Sequence, residues 1–115
     1  MSAAGRVICV AGQIGWDAAT QEFTTDSFSG QLKYALRNTV AVLKAGGASA
    51  DHIVRMTWYV TDKKEYQNQL KEVGQAYRDE IGRVFPAMAL FEVSGLLEPR
   101  AKIEIETTAI VPDDA

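Results

Sequence analysis

Lys102-Ile103-Glu104-Ile105-Glu106-Thr107-Thr108-Ala109-Ile110-Val111 sets Ile103 and Ile105 against Lys102, Glu104 and Glu106. Successive side chains of a strand point to opposite faces, so this alternation predicts a strand over Lys102 to Val111 with one face toward a layer of helices. A second strand is predicted at Ile53 to Val60, where β-branched and aromatic residues dominate and Thr61-Asp62 stops the run. Arg6 to Gln13 reads as a third, punctuated by Gly12 and Gly15, and Met88 to Ser94 as a fourth, followed by a turn over Gly95 to Pro99. Glu22 to Thr25 can add a short extended piece.

Two amphipathic helices separate these strands. Asp26 or Ser27 can cap the first, whose apolar positions Phe28, Leu32, Leu36, Thr39 with Val40, and Leu43 recur at three and four residues. Gly46-Gly47 ends it after about Ala45, because glycine accepts the left-handed conformation found at helix ends. Asp62-Lys63-Lys64-Glu65 has the form of a capping box. Tyr66, Leu70, Val73, Tyr77 and Ile81 then predict one continuous helix closed by Gly82. Phe85-Pro86-Ala87 returns to extended structure, since the residue before proline is pushed away from helical angles. The fold class that follows is α+β, with two helices on one face of a mixed sheet of four to six strands. Pro112 to Ala115 reads as a frayed tail.

With 115 residues, the chain has room for one core, and 47% apolar and 23% charged residues are ordinary for a folded domain. The net charge of −3 and the lack of a Lys/Arg run argue against nucleic acid as a partner. The lone Cys9 permits no intrachain disulfide, and its place in the apolar run Val7 to Ala11 makes it a buried small hydrophobe. No apolar stretch approaches the ~20 residues of a membrane span, and no secretory leader is evident, so the expectation is a cytoplasmic protein with no membrane partner. One sheet face must lie away from the helices. If it carries Met56 and Trp58, it needs a partner to cover it, and a second copy of the chain is the economical choice.

Several stretches resemble the RidA/YjgF (reactive intermediate deaminase) family in collinear order. Val10-Ala11-Gly12-Gln13-Ile14-Gly15 resembles its "SGQIP" strand end, and Leu43 to Ser49 resembles the exit of its first helix. Asp51 to Asp62 is similar to the strand that follows. Phe85-Pro86-Ala87 and Ala101 to Ala109 are similar to its "FPAR" and "KIEIEAIA" signatures. The resemblance implies chorismate-mutase-like subunits in a homotrimer, with clefts between chains. It also implies hydrolysis of small reactive enamines or imines without metal or cofactor.

Departures from the family pattern bear on the substrate. The family's carboxylate-gripping arginine is matched by Met88, whose thioether cannot pair a carboxylate. Leu90 stands for a frequent cysteine, Ala11 for the strand serine, and a glycine-proline-tyrosine motif is missing from these residues. Glu104 aligns with the glutamate that orients water. Glu104 and Glu106 share a strand face roughly 7 Å apart, and shielding from water would leave one of two such carboxylates a proton carrier near neutral pH. Each also has a plain structural reading, as a strand glutamate paired with a base. Arg100 and Lys102 are candidates to replace the missing guanidinium, or solvated turn charges. Around the expected cleft stand Trp16, Ala11, Gly12, Tyr77, Ala87, Met88 and Leu90. Trp16 can stack on a planar ligand or pack an interface, and Tyr77 can offer a hydroxyl or fill the core. His52 reads as a surface residue. The two functions in view are a cofactor-free deaminase-like hydrolase with an altered small-molecule substrate and a non-catalytic metabolite-binding or protein-interaction trimer.

Overall fold

The computed structural model describes residues 1–113, so the end of the expected frayed tail lies outside the described residues. The strands are β1 (Arg6–Ile14), β2 (Ile53–Val60), β3 (Ala87–Glu92) and β4 (Ile103–Val111). They form one sheet in the order β1-β4-β2-β3. β4 pairs antiparallel with both β1 and β2, while β2 and β3 run parallel. A parallel pair needs a long crossover, and here α2 (Lys63–Asn68) and α3 (Leu70–Glu80) supply it. Helix α1 (Phe28–Ala45) links β1 to β2 and packs on β1, β4 and α3.

The alternation in β4 is realised. Ile103, Ile105, Thr107, Ala109 and Val111 are buried toward the helices, whereas Glu104, Glu106, Thr108 and Ile110 face away. Met56, Trp58 and Val60 of β2 join the buried side, against Phe28, Leu32, Leu36 and Leu43 of α1. The open face therefore carries Arg55, Thr57 and Tyr59 of β2, and not the Met-Trp set on which the sequence argument for self-association leaned. Its exposed apolar residues are instead Val7, 58% accessible, and Phe91, 54% accessible and stacked on Tyr59. Cys9 corrects a second expectation. Because Val10 turns inward, its neighbours turn out, and Cys9 is exposed opposite Thr108.

The second helical stretch is two helices and not one. Gln69 leaves helical angles (φ −121°, ψ 29°), and its side-chain oxygen accepts from the Ser29 backbone N–H at 3.0 Å, tying the break to the start of α1. The break rotates the apolar stripe, so Leu70 is 55% exposed while Val73 and Ile81 stay buried. No capping box closes the start of α2. Asp62 accepts from Lys64 N–H at 2.9 Å, and Glu65 turns instead to the Lys102 ammonium at 2.8 Å.

Two buried polar residues of α1 fix the loops around the sheet. Gln31 is fully buried and donates its amide to the Thr25 and Arg100 carbonyls while accepting from Lys102 N–H at 2.8 Å. Asn38 donates to the carbonyls of Ile14 (3.1 Å) and Trp16 (2.9 Å). Gly15 lets the chain pass between them, since any Cβ there would collide with Gln31.

Candidate functional site

The β1–β4 register shifts between Val10, opposite Thr107, and Gln13, opposite Ile105. Ala11 and Gly12 thus share the place opposite Glu106, which is a β-bulge, a device that re-aims side chains near sheet ends. Glu104 uses the opening. Its side chain lies across Gly12 so closely that a Cβ on Gly12 would sit 2.6 Å from the carboxylate Oε2. Ile14 and Tyr59 flank Glu104 on the neighbouring strands, leaving it half-buried. Gly12 and Glu104 therefore meet on the open face, beside Ala11 in the bulge. Glu106 is exposed and has no ion pair among the described residues. Its carboxylate faces the Tyr59 hydroxyl, raising that phenol above its ordinary pKa through the hydrogen bond and then through desolvation and charge repulsion.

Trp16 follows β1, held by the Asn38 bond to its carbonyl. Its ring packs on Phe23 at 6.0 Å between centroids. Arg100 lies over the other partner of that contact, 5.4 Å from the Phe23 centroid, and binds the Asp26 carboxylate at 2.8 Å. That guanidinium holds the Asp26 pKa below its usual range. With Lys102 bound to Glu65, neither of the cations that the sequence offered in place of a guanidinium at position 88 is free.

Met88, Leu90 and Tyr77 gather elsewhere. Met88 stands opposite Met56 and Leu90 opposite Trp58, which puts both on the helix side of the sheet. Ala87, one step earlier, is exposed and projects from the other face. Within one chain Met88 and Glu104 thus lie on opposite sides of the sheet. Met88 borders a cleft of about 590 Å³ between α3 and β3, together with Trp58, Tyr66, Val73, Tyr77, Phe85 and Pro86. Tyr77 donates its hydroxyl to the Val84 carbonyl, and burial raises its pKa. Buried Trp58 leaves its indole Nε1 without an acceptor among the described residues, a state worth about 1–3 kcal/mol against the fold.

Arg78 and Arg83 stand at this cleft and sequence reasoning missed both. The available signal was the position of Arg83 three residues before Pro86, in the loop leading into β3. Gln31 and Asn38 were also missed as positioning residues, although seven residues apart they share one face of α1 and interrupt its apolar stripe. His52 is more than a surface residue, since its Nδ1 accepts from Ser49 N–H at 3.1 Å and closes the turn before β2. Among the described residues, no group of three or more His, Cys, Asp or Glu side chains could hold a metal ion, and no helix is long and apolar enough to cross a membrane.

The α+β subunit is the fold class that the collinear motifs led us to expect, and comparison with known proteins agrees. The endoribonuclease L-PSP family matches residues 1–111. The chain belongs to this family, also called RidA/YjgF. It is 30% identical over 105 residues to the human 2-iminobutanoate/2-iminopropanoate deaminase, covering 91% of this chain and 73% of that protein. It is 32% identical over 106 residues to the RutC family protein PH0854 of Pyrococcus horikoshii, covering 92% and 80%. Among solved structures it resembles the Rid-family protein YyfB of Yersinia pestis, with a TM-score of 0.81, 29% identity, and coverage of 93% of this chain and 80% of that one.

Proposed function

We propose that the protein is a cofactor-free hydrolase of the deaminase type, acting on small imines, enamines or related reactive metabolites, with Glu104 orienting the attacking water. The observation that carries this reading is the seat of Glu104, a half-buried carboxylate held over Gly12 at the bulge in a family that includes imine deaminases. A carboxylate so placed can accept a proton from water as the water adds to a C=N carbon, and return it to the departing ammonia.

The sites form between subunits of a homotrimer. Support comes from the separation of Met88 and Glu104 on opposite sides of one sheet, so that a cleft using both takes them from different chains, and from the exposed Val7 and Phe91 on the open face. The substrate differs from that of arginine-bearing relatives, because Met88 offers no charged hydrogen bond at its position. Such bonds are worth about 1.5–3 kcal/mol, at least tenfold in productive binding. The apolar surroundings of Met88 favour a second reading, a trimer that binds a metabolite without turning it over.

Ammonia release from enzymatically generated 2-aminoacrylate tests the proposal. Turnover is expected in the parent protein, to be lost in Glu104→Gln and raised in Met88→Arg. Turnover unchanged in Glu104→Gln refutes the catalytic role. Ligand binding without turnover in any of the three proteins supports the second reading.

A further inference from the structure

The four strands place few charges on the open face. Of their cations only Arg55 turns that way, since the Arg6 guanidinium reaches back to the Gly46 carbonyl at 3.0 Å. Of their acids Glu104 and Glu106 do, whereas Glu92, opposite buried Val60, turns to the start of α2 and accepts from the Lys63 N–H. With Glu104 laid over Gly12 at the bulge, one cation and one anion per chain are left, Arg55 and Glu106. They border a common hollow of about 320 Å³ with Cys9, Thr57, Tyr59 and Thr108. Arg55 stands opposite Thr108 and Glu106 opposite Thr57, so the two are diagonal neighbours, yet neither forms an ion pair among the described residues. Apolar side chains bound this polar stretch along the strands, Val7 opposite Ile110 at one end and Phe91 stacked on Tyr59 at the other.

We infer that this hollow is where copies of the chain recognise one another, Arg55 of one protomer pairing with Glu106 of its neighbour. The inference rests on the proposed homotrimer and adds the contact that selects how the copies meet; it does not depend on Glu104 turning a substrate over. An uncompensated charge taken out of water is strongly destabilising, whereas a matched pair roughly breaks even and rejects wrong partners. A face with one Arg55 and one Glu106 per copy is therefore covered without penalty only by one-to-one pairing. A ring in which each protomer meets its two neighbours through different patches gives every Arg55 one Glu106. The guanidinium fork suits a carboxylate through two parallel hydrogen bonds. Within a chain the Glu106 carboxylate is turned to the Tyr59 hydroxyl, whose pKa it raises while Arg55 pulls the other way. That arrangement leaves the Arg55 guanidinium for the neighbouring copy.

Sedimentation of Arg55→Glu and Glu106→Arg, separately and mixed, tests the inference. Each variant alone sets like charges against each other at every contact and is expected to dissociate where the parent is trimeric, with a dissociation constant raised by roughly tenfold or more. An equimolar mixture should recover trimers, because in any mixed ring of three two of the contacts join opposite charges. The neutral variants Arg55→Met and Glu106→Gln, and the two combined, give a second arm that serves should a reversed charge prevent folding. Each should weaken the ring, and the combination should weaken it no more than either alone. Reversed-charge variants as trimeric as the parent, assembly of the Arg55→Glu/Glu106→Arg chain without recovery in the mixture, or additive losses in the neutral series each overturns the inference while leaving the homotrimer standing. A monomeric parent overturns both.

Discussion

Gly12→Ala isolates the geometry of the proposed site from the stability of the fold. The backbone at Gly12 is outside the left-handed region, so alanine itself is not strained there. Its Cβ would lie 2.6 Å from Oε2, 2.8 Å from Cδ and 2.9 Å from Cγ of Glu104, and ordinary contact begins at 3.4 Å. The glutamate must therefore retreat by about 0.8 Å, a distance set by those contacts. Every clashing atom belongs to one half-buried, flexible side chain on the open face, so the fold should lose no more than about 0.5 kcal/mol, as for other surface substitutions. A misplacement of about 1 Å at a reacting centre costs roughly 100-fold in rate. The expected result is a kcat for 2-aminoacrylate hydrolysis reduced by about two orders of magnitude with an unchanged urea midpoint. Full activity in Gly12→Ala would refute the argument that Gly12 exists to seat Glu104. Loss of activity together with a large drop in midpoint would show that the glycine serves the fold.

Gln31→Leu should destabilise by about 2–4 kcal/mol in urea unfolding, because the fully buried amide leaves the Lys102 N–H and the Thr25 and Arg100 carbonyls without partners; a loss under 1 kcal/mol would mean water replaces it. Tyr77 has a folded-state pKa raised by burial, so the folded chain holds its proton more tightly than the unfolded chain. Its contribution is full below the unfolded value of about 10 and is lost as pH rises through the folded value. Stability should thus fall in alkali, and Tyr77→Phe should flatten that limb while costing about 1 kcal/mol at neutral pH. Sedimentation should find three protomers, and Phe91→Asp on the open face should shift the population toward monomer; a parent protein that is monomeric at working concentration removes the intersubunit sites.

What was legible in the sequence was whatever follows from local period. The alternation of Ile103 and Ile105 with Glu104 and Glu106 placed β4 and both its faces, and the spacing of Phe28, Leu32, Leu36 and Leu43 placed α1, with the choice of Asp26 or Ser27 as its cap resolved to Ser27 by the structure. What escaped depends on contacts between distant residues. The break at Gln69 answers a hydrogen bond to Ser29, forty residues away, and no periodicity within the helix announces it. Cys9 was misplaced because a short apolar run leaves open which side chains turn inward, and the core's demand for Val10 settles the parity. For the candidate site, Glu104 and Gly12 were singled out through motifs, whereas Arg78 and Arg83 belong to no motif and converge only once α3 packs beside β3.

The sheet order has a consequence for the birth of the protein. Its last strand in sequence occupies an inner position, joining β1 on one side to β2 and β3 on the other. While β4 is still inside the ribosome, the earlier strands have no common neighbour, and the helices have only half a surface on which to settle. Domains that close locally can consolidate during synthesis, but this one must wait until β4 has emerged, holding Trp58 and Met56 uncovered until then. Newly made chains should lean on holding chaperones in that interval, and truncation before Ile103 should yield a chain that never organises, not a smaller version of the fold.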